Sequence, residues 1–223
     1  MSIRSISHLN LQNKKVFIRA DLNVPIDGST ISSTSRIDAS IPTIEFALDN
    51  AQVVILTSHL GRPEEGNFDD SLSLKPIVDY LEEKLNTTII FHRDFDKGQS
   101  FEPGRLHVLE NVRFNPGEKK CSDELSVKYA SIADVFVMDA FGTAHRTEAS
   151  TYGIGKYIGE KCAGLLFYDE VDALTKTFNQ PKKPMLAIVG GSKVSTKLSV
   201  LKNLVNRVDG LILGGGILNT FIA

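Results

Sequence analysis

The feature that most constrains the fold is a regular alternation between short apolar runs and longer segments with helical spacing. Apolar runs rich in β-branched residues predict strands at 15–19, 52–58, 88–91, 106–110, 135–139, 186–189 and 211–213. Helical spacing of apolar residues predicts helices at 35–48, 74–85, 123–133, 165–179 and 194–208. Because the runs are apolar throughout, we expect strands covered on both faces. The pattern therefore predicts a doubly wound α/β fold, with a parallel sheet between two layers of helices.

Composition and charge narrow the class of protein. The chain has 223 residues, of which 42% are apolar and 23% charged, a balance typical of globular proteins. Its net charge of -2 argues against bulk electrostatic binding of nucleic acid or anionic membranes. No apolar stretch approaches the ~20 residues of a membrane-spanning helix, and the polar N-terminus lacks a signal-peptide core. Cys121 and Cys162 form neither a disulfide framework nor a metal-binding spacing, so we expect no structural metal. Together with the missing membrane span and signal peptide, this predicts a soluble cytoplasmic protein.

The sequence indicates a domain boundary near residue 180. Two prolines and two lysines at 181–184 follow the predicted helix at 165–179 and indicate a short, stiff connector. The tail restarts the strand–helix–strand pattern with two strands and one helix, and units below ~40 residues rarely fold alone. We therefore expect an N-terminal domain at 1–164, an interdomain helix and linker at 165–184, and the truncated start of a second, similar domain at 185–223.

Arginines cluster in the segments where parallel α/β sheets bind ligands, beyond the carboxyl ends of the strands. Four of the nine arginines fall there or at the start of the first helix: Arg36, Arg62, Arg113 and Arg146. Guanidinium groups offer paired donors to carboxylate and phosphate oxygens, and several close together need a polyanion to offset their repulsion. Any one of them could be an ordinary surface residue. The four together predict a site for a small acid that carries a phosphate.

Other polar residues share this predicted rim. Asp21 and Asn23 could exchange hydrogen bonds with a hydroxyl group beside the anion, or could form the turn that ends the first strand. His59 and His145 also follow strands, but no nucleophile is spaced to pair with either one. We therefore assign neither histidine a general-base role.

A second candidate site lies in the tail. The strand predicted at 186–189 runs into Gly190 and Gly191, and Lys193 and Lys197 follow four residues apart. Another glycine run, at 214–216, ends the next strand. Neither loop matches the Walker A pattern, and either could be a tight strand-to-helix turn. Two consecutive glycine-rich loops with paired lysines favour a nucleotide-phosphate site.

The chain resembles the phosphoglycerate kinase family in seven segments: RADLNVP, SRI, SHLGRP, ENVRF, DAFGTAHR, AIVGGSKVSTK and LILGGGILNTF. They occur in the family's order and extend from residue 15 to the end of the chain. The resemblance implies transfer of phosphate between 1,3-bisphosphoglycerate and ADP, giving 3-phosphoglycerate and MgATP in glycolysis. It also implies two Rossmann-like domains, one for the acid and one for the nucleotide, in a full-length enzyme that is a monomer without nucleic-acid or membrane partners.

The family's site residues carry over by motif. The acid-binding set that the resemblance implies is Asp21, Asn23, Arg36, His59, Arg62, Arg113 and Arg146. The resemblance also makes Arg36 and Lys193 the catalytic residues, in contact with the phosphoryl group in flight. The implied nucleotide-binding set is Gly190, Gly191, Lys197, Gly214, Gly215 and Gly216. The resemblance places the ligand for Mg2+, bound with ATP or ADP, in a C-terminal part beyond residue 223.

The chain also departs from the family pattern. Glu148 stands where many members have a histidine, which places an acid beside the arginines, and Ile217-Leu218 replaces a common Met-Ala pair. Members of the family are considerably longer, so we expect an N-terminal fragment that is inactive alone. The alternative is a naturally short, non-catalytic module that binds a phosphorylated acid. A dinucleotide-binding dehydrogenase is disfavoured because no GxGxxG follows the first strand.

Overall fold

The computed structural model describes residues 3–28, 30–179, 181–191 and 198–222, with side chains described up to residue 219. Internal packing divides the chain into two compact units, Met1–Glu170 and Val171–Ala223. The helix Leu165–Asn179 runs across this division. The domain boundaries at residues 164 and 184, inferred from the sequence, stay a prediction. None of the described helices has the length and apolar character needed to cross a membrane.

The first unit is built on a six-stranded parallel sheet. Its six strands are β1 Lys15–Ala20, β4 Val53–Thr57, β5 Ile89–His92, β6 Leu106–Leu109, β7 Val135–Asp139 and β8 Glu160–Ala163. A separate, small antiparallel hairpin is formed by β2 Ile26–Asp27 and β3 Thr30–Ile31. The order across the sheet is β5-β6-β4-β1-β7-β8, and every neighbouring pair is parallel. The predicted doubly wound parallel sheet is therefore confirmed.

Helices cover both faces of this sheet. They are α1 Ser35–Asn50, α2 Lys75–Leu85, α3 Asp123–Ala130 and α4 Ile154–Tyr157, and a further helix, α5 Leu165–Asn179, follows β8. Short turns of 3-10 helix occur at Ile6–His8, Asp70–Leu72, Val112–Phe114 and Phe141–Thr143, and a π-helical turn at Ala149–Gly153. Asp139, the last residue of β7, accepts a hydrogen bond from the Phe167 N–H at 3.0 Å and so caps the start of α5.

Two apolar cores lie on opposite faces of the sheet. In β1, Val16 and Ile18 belong to one core and Phe17 to the other, and β4 divides Val54 and Ile55 in the same way. This follows from the alternation of side chains along a strand and explains why β1 and β4 contain continuous apolar runs instead of an alternating pattern. Helices α1 and α2 contribute to the first core, and α3 and α4 to the second, through Ile37, Ile44, Ile77, Leu81, Leu125, Tyr129 and Ile154.

The structure differs from the sequence prediction at several elements. The hairpin of β2 and β3 and the edge strand β8 were not predicted, because neither contains an apolar run long enough to signal a strand. The other strands end within one or two residues of their predicted limits. Helix α3 ends at Ala130 rather than at 133, and α1 continues to Asn50 with Pro42 inside it.

The second unit repeats the β-α-β pattern. It contains β9 Leu186–Gly190, α6 Leu198–Val205, β10 Gly210–Gly214 and α7 Gly216–Ile222, with β9 and β10 paired in parallel. Part of the helix predicted at 194–208 lies outside the described residues, and α7 corrects the prediction of a single helix in the tail. Large apolar side chains of both strands are exposed, including Ile188 at 76% and Ile212 at 50%. The unit therefore has the predicted strand–helix–strand pattern, and the interpretation that it begins a second, similar domain stays a prediction.

Candidate anion-binding site

Arg36 is held at the carboxyl edge of the sheet by the loop that follows β1. Its Nη1 lies 3.3 Å from both carboxylate oxygens of Asp21 and donates to the backbone oxygen of Asn23 at 3.0 Å. The Arg36 side chain is nevertheless 55% exposed, whereas that of Asp21 is 17% exposed. One terminal nitrogen of the Arg36 guanidinium is therefore held in place while the side chain stays accessible, which suits a residue that contacts a ligand.

Asn23, Gly61 and Arg113 connect three successive loops. The Asn23 Oδ1 accepts a hydrogen bond from the Gly61 N–H at 2.9 Å, and the Gly61 carbonyl accepts one from Arg113 Nη1 at 2.5 Å. Gly61 has a φ of +58°, a conformation that side chains disfavour. The turn prediction for this segment and the binding prediction are therefore compatible, since Asn23 organises the loop beside the arginines.

Glu148 lies between two arginines. Its Oε1 is 3.5 Å from Arg113 Nη2 and 3.4 Å from Arg146 Nη1. Arg113 and Glu148 are both buried, and Arg113 Nε and Glu148 Oε2 have no hydrogen-bond partner among the described residues. Burial lowers the pKa of Arg113, and the neighbouring Glu148 charge opposes this effect. One carboxylate thus serves two guanidinium groups, which leaves donors and positive charge for another anion.

His59 is buried among positive charges. Burial, followed by the charges of four arginines, lowers its pKa to about 2, so the imidazole is neutral at ordinary pH. The four are Arg19, Arg113, Arg146 and Arg36, in decreasing order of effect. We call these four arginines and His59 the basic cluster. Three of the predicted arginines are thus brought together around a predicted histidine.

Arg19 belongs to this cluster although it was not predicted as a site residue. It is 0% exposed near the end of β1, and its Nε donates to Ser150 Oγ at 2.9 Å. Ser150 in turn donates to the carboxylate of Glu118, through its hydroxyl group and its backbone N–H. Burial raises the pKa of Glu118 to about 7, although the Ser150 hydrogen bonds and the Arg19 charge oppose it. A charged residue inside an apolar strand was the signal that could have revealed Arg19.

Two predicted residues stand apart from these contacts. Arg62 and His145 are both exposed. Within the described part of the chain, neither makes an ion pair or side-chain hydrogen bond with the basic cluster. The assignment of Arg62 to the acid site stays a prediction from its motif, and His145 was assigned no role.

The predicted nucleotide-binding glycines lie at the ends of the second sheet. Gly190 ends β9, Gly214 ends β10, and Gly216 begins α7. Gly191 and Gly215 lie close together, since a Cβ on Gly215 would come 3.3 Å from the Gly191 carbonyl oxygen. A side chain at Gly215 would therefore be tight against this backbone, and the φ of +62° at Gly215 also disfavours one. Lys193 and Lys197 lie outside the described residues.

A metal site is not formed by the residues that the structure describes. Within residues 3–28, 30–179, 181–191 and 198–222, no group of three or more His, Cys, Asp or Glu side chains is arranged to hold a metal ion. The described residues therefore do not supply a Mg2+ site.

Comparison with solved structures shows the same architecture in known proteins. The structure of phosphoglycerate kinase from Coxiella burnetii matches 99% of this chain with a TM-score of 0.89 and 49% sequence identity, over 56% of that protein. Phosphoglycerate kinase from Pyrococcus horikoshii OT3 matches 98% of this chain with a TM-score of 0.83 and 29% identity, over 57% of that protein.

Comparison of sequences gives the same relationship. Phosphoglycerate kinases of Francisella tularensis subsp. novicida (strain U112) and subsp. tularensis (strain WY96-3418) are 54% identical to this chain over 222 residues. The match covers 100% of this chain and 57% of each relative, so the chain spans little more than half their length. The family model for phosphoglycerate kinase matches residues 6–223. The chain therefore belongs to the phosphoglycerate kinase family.

Proposed function

We propose that this chain supplies the acid-binding domain and the start of the nucleotide-binding domain of a phosphoglycerate kinase. The complete enzyme would transfer phosphate between 1,3-bisphosphoglycerate and ADP, giving 3-phosphoglycerate and ATP. This is a reaction of glycolysis, so we place the enzyme in the cytoplasm. The observation that carries this proposal is the sharing of the Glu148 carboxylate by Arg113 and Arg146, in the same set of loops as the exposed Arg36. A small acid with a carboxylate and a phosphate offers the negative charge that this cluster requires.

The contacts support distinct roles within the acid site. Arg113 is buried beside Glu148 and the Gly61 carbonyl, so it would hold a positive charge close to the anionic groups of the acid. Arg36 has an exposed end and would neutralise charge on the transferring phosphoryl group. Asp21 and Asn23 offer hydrogen-bonding groups beside Arg36 for the hydroxyl group of the acid. Arg62 is assigned to the acid by its motif.

The transfer step needs little covalent chemistry from the protein. An oxygen of the acid's carboxylate forms a bond to the terminal phosphorus of ATP while the bond to the ADP oxygen breaks, and the reverse reaction makes ATP. Catalysis then consists of positioning and charge neutralisation, with Arg36 on the acid side. We propose Lys193, Lys197 and the glycines at 190–191 and 214–216 for the nucleotide side.

Calorimetric titration with 3-phosphoglycerate tests the acid site. We expect the 223-residue chain to bind this acid, and the affinity to fall as salt is raised, because the attraction is ionic. Arg36→Ala and Arg146→Ala should each weaken binding by about tenfold or more, as expected for loss of a charge-assisted hydrogen bond. Arg105→Ala is the matched control, since Arg105 is exposed and directly precedes β6, at the amino edge of the sheet opposite these loops. Equal affinities in all four proteins would refute the assignment.

A coupled assay with MgATP tests the nucleotide side. We expect no turnover by this chain alone, because closure of a two-domain kinase around both substrates requires a complete partner domain. Addition of the remaining C-terminal portion should restore some activity, and Lys197→Ala should abolish it. Steady turnover by the chain alone, unaffected by Lys197→Ala, would contradict this part of the proposal. Binding of the acid with no activity in either arrangement would favour a non-catalytic module.

A further inference from the structure

Arg19 is tied to three groups, one for each nitrogen of its guanidinium. Besides the Ser150 contact of Nε, Nη1 donates to the Ala20 carbonyl at 2.6 Å, and Nη2 lies 3.3 Å from His59 Nδ1. The side chain is 0% exposed, so no solvent competes for these positions. The guanidinium therefore has one orientation, and its Nη2 faces one nitrogen of the imidazole.

The direction of these hydrogen bonds follows from the chemistry of arginine. A guanidinium group carries only donors and stays charged in proteins, so whatever faces it must accept. His59 Nδ1 must then present its lone pair, and in a neutral imidazole the proton is on Nε2. The opposite tautomer would place the Nδ1–H against an Arg19 N–H, and a protonated ring would do so with an added positive charge.

Ser150 and Glu118 prevent Arg19 from turning away. The Ser150 hydroxyl donates to the Glu118 carboxylate, which commits its oxygen to accept from Arg19 Nε. Glu118 also accepts from the Ser150 backbone N–H at 3.1 Å and is itself 0% exposed. Arg19 therefore donates to Ser150, and Ser150 donates to Glu118. Arg19 Nη2 is thereby left facing His59.

These contacts leave the Nε2 of His59 free to donate a hydrogen bond to a ligand. Among the described residues, nothing accepts a hydrogen bond from His59 Nε2. The charges that act on the ring are those of Arg19, Arg113, Arg146 and Arg36, and each of them opposes protonation. Carboxylate and phosphate oxygens, which accept hydrogen bonds, are the groups that an Nε2–H can bind.

We infer that Arg19 is a positioning residue that holds His59 as the neutral tautomer with its proton on Nε2, so that His59 presents a donor to an anionic oxygen of the substrate. The identity of that substrate rests on the proposed function. The tautomer itself is a property of the free protein. The two statements can therefore fail separately.

Nitrogen-15 NMR of the imidazole rings in the free 223-residue chain tests the tautomer. The His59 signals are identified by their absence in His59→Gln. We expect a protonated Nε2 and an unprotonated Nδ1, unchanged from about pH 5 to 8. A protonated Nδ1, or a ring that titrates in this range, would overturn the inference.

Two variants test whether Arg19 is the cause. In Arg19→Met the imidazole loses its obligatory donor, so we expect a detectable Nδ1–H population and uptake of a proton at higher pH than in the wild type. Arg19→Lys keeps a donor and a charge and should restore the Nε2–H tautomer. If Arg19→Met does not fold, the double variant Arg19→Met/Glu118→Gln is used instead. It also removes the buried Glu118 carboxylate, which would otherwise have lost the charge of Arg19. An unchanged tautomer and titration in the folded variant would show that Arg19 does not position His59.

Binding of 3-phosphoglycerate separates this inference from the proposed function. His59→Gln retains an N–H donor near the position of Nε2, whereas His59→Leu does not. We expect His59→Leu to weaken binding by about tenfold and His59→Gln to weaken it less. Equal loss in both would show that no donor is used. If the wild type does not bind this acid, the proposed function fails while the NMR result on the free protein still decides the role of Arg19.

Discussion

Substitution of Gly61 by alanine tests how closely the arginine loops depend on one another. Gly61 joins Asn23 to Arg113 through its two backbone groups, and it has a φ of +58°. An added Cβ would lie 2.5 Å from a methyl carbon of Leu72. Gly61→Ala therefore strains the backbone and forces a neighbour to move at a point shared by three loops.

The expected loss of stability has two parts. A left-handed backbone costs a residue with a side chain about 1–2 kcal/mol. Leu72 is half-buried and can rotate its methyl group away, at a cost of about 0.5–1.5 kcal/mol for an unfavourable side-chain torsion. We therefore expect Gly61→Ala to lower the free energy of unfolding by about 1.5–3.5 kcal/mol. Displacement of Asn23 and Arg113 should also weaken binding of 3-phosphoglycerate by about tenfold.

Gly104→Ala is the matched control for this experiment. Gly104 has a φ of +71°, but a Cβ there would meet no atom within 4 Å. It should lose only the backbone part, about 1–2 kcal/mol, and should bind the acid as the wild type does. Urea unfolding gives the stabilities and calorimetry the affinities. If the two variants lose the same stability and both keep their affinity, Gly61 does not couple the loops.

Three further predictions concern other parts of the first unit. Glu148→Gln removes the carboxylate shared by two guanidinium groups, so calorimetry at low salt should show about threefold tighter binding of 3-phosphoglycerate, and weaker binding would contradict this. His92 and His107 have pKa values lowered from 6.5 mainly by burial, so the folded pair takes up protons less readily than the unfolded chain. The free energy of unfolding should therefore fall as the pH drops below 6.5, less steeply in a His92→Gln/His107→Gln variant, and identical slopes in urea unfolding would exclude a contribution from the pair. Gly164→Ala would place a Cβ 2.2 Å from the carboxylate that caps α5, so it should cost about 1–3 kcal/mol in urea unfolding, whereas Gly159→Ala, with open space around it, should cost less.

The strand and helix pattern of this protein follows from the sequence alone. Apolar runs bury both faces of a strand, and this requirement is local, so the main strands and α5 could be located from residue spacing. The positions of Arg36, Arg113 and Arg146 after strands or at a helix start were equally local. Because parallel strands end at the same edge, their convergence was predictable from chain order.

The tertiary structure decided which partners these residues have. Arg19 meets Ser150 across 131 positions of the chain and His59 across 40, and no spacing rule links residues so far apart. The edge strand β8 is likewise fixed by pairing with β7 rather than by apolar content of its own. A buried charge is stabilised only by the groups that surround it in the folded state. The tautomer of His59 and the sharing of Glu148 were therefore settled only when distant segments packed together.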